Sequence, residues 1–267
     1  MLSTTRRGFL ATVGLATASA AHAGITKIRA GCLAVPDTFD NLVLMLKEAA
    51  GLGYTGYATN LRLLEGQAGQ TDDVRTQLGP IGLDLIGVRH ALPRLADLGL
   101  ERALEETGRL GMAARQFGAR TLMLHSNGLA ADGKFTPAAL DAKAAFLDQA
   151  GKRCLEMGVL LAYRTQEAEF QNEAAEITGL LAKTEVRHVY YDLDLGRASR
   201  VYPGAIDFFK DHPSRTFSIE APFADAEFHV HDLAAAIRKE KWISWLIENS
   251  AEPGEGTRAV MKKTFGV

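Results

Sequence analysis

Apolar runs in this chain repeatedly stop at residues able to do chemistry. Val189-Tyr190-Tyr191 ends in Asp192 with Asp194 two positions on, Phe217-Ser218-Ile219 ends in Glu220, and Trp245-Leu246-Ile247 ends in Glu248 followed by Asn249. Other runs deliver Asn60, Arg89-His90, His125-Ser126-Asn127, Arg164 with Gln166 and Glu169 close behind, and Arg197. Carboxylates, together with an imidazole whose ordinary pKa lies near neutrality, are the groups that move protons in general acid/base catalysis. Arginines supply fixed positive charge for developing or resident anions. Residues two apart on a strand share a face, so Asp192 goes with Asp194 and Ser218 with Glu220. An apolar strand that stops at Asp, Glu or His costs desolvation energy unless the group is paired or used. Seven polar strand ends, those at Asn60 and Arg164 included, point to a pocket.

The elements that must carry these groups alternate regularly. Strands are expected over 28–35, 56–60, 84–90, 121–125, 159–163, 188–192, 216–220 and 243–248, with amphipathic helices between them. Thr38 caps a helix bearing Leu42, Met45, Leu46 and Ala49, and Thr136-Pro137 opens one bearing Leu140, Ala144 and Leu147. His231-Asp232 opens another with Leu233, Ala236 and Ile237 along its apolar side. Gly53, Gly82, Gly118 and Gly158 each stand at a helix exit before a strand. Eight βα units without a long linker predict an α/β fold, a single (β/α)8 TIM barrel, with chemistry at the C-terminal strand ends. An open doubly wound sheet is the alternative. Its fingerprint, Gly51-Leu52-Gly53-Tyr54-Thr55-Gly56, follows a helix and precedes a strand, the wrong order for a pyrophosphate site, and is read as a turn.

Several reactive residues have plainer roles. His188 belongs to a strand entrance, His229 and His231 to a helix start, His212 beside Pro213 to a surface turn, and Cys154 to the core. Glu101, Glu105 and Arg109 stand at helical spacing and read as a solvated face. Trp242 and Trp245 read first as packing and second as a platform for a sugar ring.

Composition narrows the classes. Of 267 residues 47% are hydrophobic, and 30 Lys+Arg against 32 Asp+Glu give a formal charge of −2, so no basic excess exists for a nucleic-acid partner. Cys32 and Cys154, far apart and outside any CxxC pattern, exclude a disulfide scaffold and a zinc finger. No Gly-x-Ser-x-Gly elbow surrounds Ser218, and no Walker loop occurs. Arg6-Arg7-Gly8-Phe9-Leu10, a stretch of small apolar residues and Ala21-His22-Ala23 resemble a twin-arginine export signal over 1–23. The barrel domain would then occupy 24–267. The expectation is export to the periplasm by the twin-arginine translocation machinery, with a soluble mature chain of open oligomeric state.

Taken together, the strand ends resemble the xylose isomerase-like barrels, the sugar phosphate isomerase/epimerase group. The stretches that carry the resemblance are Gly53-Tyr54-Thr55-Gly56, Gly158-Val159-Leu160-Leu161-Ala162-Tyr163 leading to Glu169-Phe170, Tyr191-Asp192-Leu193-Asp194, and Trp242 through Glu248. It implies a small-molecule carbohydrate substrate and proton transfer beside its carbonyl by an isomerase, epimerase or related lyase. It also implies one divalent ion (Mn, Mg, Co or Zn) held from strands five to eight. Asp192 and Glu248 fall on the strand-six and strand-eight metal positions and are the acid/base candidates. Arg164, His125, His90, Glu220 and Arg197 are the substrate-binding candidates.

The sequence departs from that pattern at the other two ligands, where Tyr163-Arg164-Thr165-Gln166 and Ser218-Ile219-Glu220-Ala221 stand. Arginine keeps its proton and does not ligate metals. One expectation is therefore a metal-free mouth, with Arg164 beside Asp192 and within reach of Glu248. The other is a shifted ion site on Asp192, Glu220, Glu248 and His125. A carbohydrate-binding or sensory barrel without turnover is the alternative function. All of these readings require Asp192 and Glu248 to converge on one cavity.

Overall fold

The computed structural model describes residues 28–66, 71–92, 99–126, 128–129, 134–238, 243–249 and 254–267. Residues 1–23, read above as an export signal, Asn127 and Trp242 lie outside them. Eight parallel strands close on themselves in sequence order: β1 (Arg29–Leu33), β2 (Gly56–Asn60), β3 (Asp84–Ala91), β4 (Thr121–His125), β5 (Leu160–Arg164), β6 (Val189–Asp194), β7 (Thr216–Ala221) and β8 (Trp245–Glu248). This is the single (β/α)8 barrel expected, with strand bounds within two residues of the predicted ones.

The helices around it are α1 (Phe39–Gly51), α2 (Leu61–Glu65), α3 (Thr71–Leu78), α4 (Leu100–Phe117), α5 (Pro137–Glu156), α6 (Glu167–Lys183), α7 (Leu195–Val201), α8 (Ala205–Asp211), α9 (Val230–Ile237) and α10 (Glu255–Phe265). Their ends follow local chemistry. Thr38 accepts a hydrogen bond from the Asn41 amide and Thr136 one from the Ala139 amide, each satisfying a donor that the first helical turn leaves open. The Gly51–Gly56 stretch is the turn from α1 to β2, with Gly53 at φ +87°, where a side chain would be strained.

Strand alternation divides the core into two layers. Leu33, Ala58, Ile86, Met123, Ala162, Trp245 and Ile247 form a cluster made of strand residues alone, which is the barrel interior. Their neighbours Cys32, Tyr57, Val88, Leu122, Leu124, Tyr163 and Leu246 pack outward under the helices. Gly56 makes the interior possible, because a Cβ there would lie 2.5 Å from the Trp245 ring and 2.9 Å from Ile86. Trp245 is thus floor packing, with the Arg29 guanidinium 3.8 Å from its ring centroid.

The same alternation decides what reaches the mouth. Arg164 follows inward Ala162 by two, and His125 follows inward Met123 by two. Register sets the heights: Arg164 pairs with Asp192 and Asp192 with Ser218, while Asp194 and Glu220 pair one step above.

Candidate functional site

The interior at the C-terminal strand ends holds a charge network in place of an apolar plug. Glu220, fully buried, is clasped from two sides: Arg164 donates to Oε2 from Nε at 3.1 Å and Nη2 at 2.9 Å, and Arg89 forms an ion pair with Oε1. Arg164 Nη2 also donates to Asp194 Oδ2 at 2.6 Å, which accepts from Asn249 Nδ2 at 3.0 Å. Asp194 Oδ1 caps α7 by accepting from the Arg197 amide at 3.0 Å. The Arg197 guanidinium, 46% exposed, stands 3.4 Å from Asp194 at the rim.

Asp192 lies beneath this clasp with no exposure. Ser218 Oγ donates to its Oδ1 at 2.6 Å, and Oδ2 is 3.9 Å from Arg89 Nη2 with no hydrogen bond among the described residues. Burial raises the pKa of Asp192 above the ordinary carboxylate value against the pull of Arg89, Arg164 and Ser218. Burial, with Arg164 beside it, lowers Arg89 to about 9, so it stays charged at neutral pH. Burial and the nearby guanidiniums press His125 down to about 4. Its imidazole is therefore neutral at pH 7 and able to donate or accept one hydrogen bond, and its Nδ1 has no partner among the described residues.

The expected convergence of Asp192 and Glu248 does not occur. Trp245 and Ile247 face in, so Glu248 faces out, where it accepts a hydrogen bond from the Tyr54 hydroxyl under α1 and lies against Cys32. A strand of four residues fixes this, since the period of two offers only one parity once Trp245 fills the floor. His90 is corrected for the same reason: Arg89 faces in, so His90 faces out, and the charges acting on it are Glu106, Glu65 and Arg109. Arg164 does enter the mouth, but it grips Asp194 and Glu220, and the guanidinium nearest Asp192 is that of Arg89. Sequence reasoning placed Arg89 at a strand end without giving it a role. No sequence signal marks it, because it enters through an irregular register between β2 and β3, and its two-residue spacing from Gly87 tells only once Gly87 is seen against interior Met123.

The remaining candidates resolve simply. His125, Asp192, Glu220 and Arg197 gather at the mouth with Arg89, Arg164, Asp194 and Ser218. Glu169 lies behind the wall, held by Lys143 and Tyr163. His188 pairs with Asp148 at the entrance of β6, Cys154 is buried, and His229 starts α9 without a side-chain cap. Arg109 bonds Glu106 and Glu65 rather than Glu105.

A divalent ion does not fit this donor set. The shifted site on Asp192, Glu220, Glu248 and His125 loses Glu248 to the outer layer, and both Glu220 oxygens face guanidiniums that a cation would have to displace. Among the described residues no group of three His, Cys, Asp or Glu side chains is placed to hold a metal. What the mouth offers instead is fixed positive charge around a buried carboxyl, with a neutral imidazole beside it.

No protein-family model and no curated protein matches the chain. Solved structures do resemble it. An L-ribulose 3-epimerase superposes with a TM-score of 0.71 at 13% identity, covering 90% of this chain and 87% of that one. A sugar phosphate isomerase/epimerase from Parabacteroides distasonis gives 0.70 at 12%, covering 90% and 95%. The 3-keto-D-glucoside 4-epimerase from E. coli gives 0.69 at 12%, covering 90% and 100%. At these identities the likeness is one of fold: the chain and these structures share the (β/α)8 barrel. Among the described residues no helix is long and apolar enough to cross a membrane.

Proposed function

We propose that this barrel acts on a small carbohydrate at its C-terminal mouth by isomerase/epimerase-type chemistry that needs no metal. The observation that carries the reading is the clasp of Glu220 between Arg89 and Arg164, which sets guanidinium charge where an ion would otherwise balance the carboxylates. The fold supports a carbohydrate ligand by analogy, since an L-ribulose 3-epimerase and a 3-keto-D-glucoside 4-epimerase are built on it.

In this reading Asp192 is the proton-transfer group. Its raised pKa brings it closer to neutral pH, and Ser218 holds its Oδ1 so that Oδ2 is the free oxygen of the pair. Arg89 stabilises the enolate oxygen that forms when Oδ2 takes the proton from the adjacent carbon, and neutral His125 donates to the same oxygen or to a neighbouring hydroxyl. Arg197, at the rim, meets the ligand first. Glu248 has no part in the chemistry. Export under a twin-arginine signal completes the proposal, with the barrel working in the periplasm.

A second reading, carbohydrate binding without turnover, is favoured by one observation: Asp192 is wholly covered, and its expected partner Glu248 faces the other way. One experiment separates the two. Purified protein treated with EDTA is titrated calorimetrically with aldoses, ketoses and sugar acids, and any ligand that binds is followed by proton NMR in D2O. Binding retained in EDTA, with solvent exchange at one carbon that Asp192→Asn abolishes, supports the enzyme. Binding without exchange supports the second reading. Binding or exchange that EDTA removes refutes the metal-free site, and failure of every carbohydrate to bind refutes both.

A further inference from the structure

We propose that Lys143 is a positioning residue for the mouth, acting from behind the barrel wall through a buried cluster that ties down the chain after β4 and after β5. The proposal rests on the reading of the mouth as the ligand site. Lys143, on α5, is buried with Glu169 and Glu176 of α6 and Tyr163 of β5. Its Nζ stands 2.5 Å from Glu176 Oε1, 3.3 Å from Glu169 Oε1 and 4.8 Å from the Tyr163 ring centroid.

Each carboxylate passes the anchor on to a loop. Glu176 Oε2 accepts from the Leu129 amide at 2.8 Å, and Glu169 Oε2 accepts from the Gln166 amide at 3.0 Å. Tyr163 donates to Glu169 Oε1 and meets Ser126 Oγ at 3.2 Å. Ser126 is the neighbour of His125, and Gln166 stands two residues beyond Arg164. The chain after the neighbouring strands β4 and β5 is thus fixed at three points, Leu129, Gln166 and Ser126, to groups gathered around one ammonium.

The backbone of α6 shows that this arrangement is held in place. Between the two glutamates the helix breaks, and Asn172, Glu173 and Ala174 take φ of 50°, 57° and 60°, the left-handed region that disfavours any residue with a Cβ. Strain of this kind persists where surrounding contacts over-determine it. Without Lys143 two buried carboxylates would face one another with no cation between them, and repulsion with desolvation would drive them apart or draw in water.

The test reads the mouth from a distance in the ligand-free protein. His125, now pressed to about 4, is titrated by NMR. The groups that act on it (Arg164, Arg89, His90 and Arg197) are untouched by a change at position 143. In Lys143→Met the loosened loop admits water, and the His125 pKa should rise by about one unit or more toward its ordinary value of 6.5. Lys152→Met, on the exposed side of the same helix, should leave it unchanged. Where Lys143→Met does not fold, Glu176→Gln keeps an acceptor for Leu129 while removing one charge partner, and a smaller rise is expected. An unmoved His125 in the folded variant, or an equal rise in Lys152→Met, overturns the proposal. A mouth that binds no carbohydrate leaves this test standing, so the two readings fail separately.

Discussion

Arg164→Met removes the guanidinium that the mouth is built around and leaves the rest of the side-chain volume nearly filled. Three charge-assisted hydrogen bonds disappear, two to Glu220 and one to Asp194, and both carboxylates stay fully buried. Removing one partner of a buried ion pair costs about 3–5 kcal/mol, because the other charge is left without compensation. Arg89 still faces Glu220 and Asn249 still donates to Asp194, which argues for the lower half of that range. At about 2–4 °C per kcal/mol for a chain of this size, the melting temperature should fall by roughly 6–16 °C.

The pH dependence carries the sharper sign. In the variant the buried carboxylates keep their charge without that guanidinium, and protonation relieves the folded state of an uncompensated buried charge. A group raised in the folded state contributes stability below its unfolded pKa and loses it as pH rises through its folded pKa. The deficit relative to wild type should therefore be largest at neutral pH and shrink on acidification. Arg164→Lys should not restore the loss, since one ammonium does not reproduce a fork that reaches two carboxylates. Urea melts at pH 7.5 and pH 4.5 make the measurement. A deficit below about 1 kcal/mol at pH 7.5, the range of an exposed ion pair, or one that grows on acidification, refutes the account.

Asp192→Asn should be neutral or stabilising at pH 7, because burial raises the carboxyl pKa and the amide still accepts from Ser218. That gain should fade as pH drops into the ordinary carboxylate range, a trend that parallel thermal melts would expose. Glu248→Gln and Tyr54→Phe should each cost about 1–3 kcal/mol from the outer layer while leaving carbohydrate affinity at the mouth within twofold; a selective loss of affinity would place Glu248 in the site after all. Gly151→Ala should destabilise by about 3 kcal/mol or more, since the new Cβ would sit 2.1 Å from the His188 carbonyl oxygen and the backbone of α5 or the turn into β6 must move. Circular dichroism melts are sufficient there, and an unchanged midpoint would contradict the close approach.

The barrel could be read from the chain because its signals are local. Apolar runs of strand length, helices with Thr38 and Thr136 at their starts, and glycines at helix exits are each set by residues a few positions apart. Strand bounds came out almost unchanged, and His188 and Cys154 took the structural roles given to them. The identity of the groups at the strand ends was equally plain in the sequence, and so was the unsuitability of Arg164 as a metal ligand.

Which way those groups point was not. Whether Glu248 joins Asp192 depends on parity along β8, and parity is set by Trp245 filling the floor against Gly56 and Ile86, residues remote in sequence. The same holds for Arg89, whose side chain enters through an irregular register between β2 and β3 that no periodic reading supplies. The partners of Arg164 follow from pairing heights: Asp194 and Glu220 stand one step above it, while Asp192 stands level with it. A shift of a single residue on a closed sheet exchanges inside for outside. Residue type therefore announced the chemistry available to this protein, and long-range packing chose the face on which each group was spent.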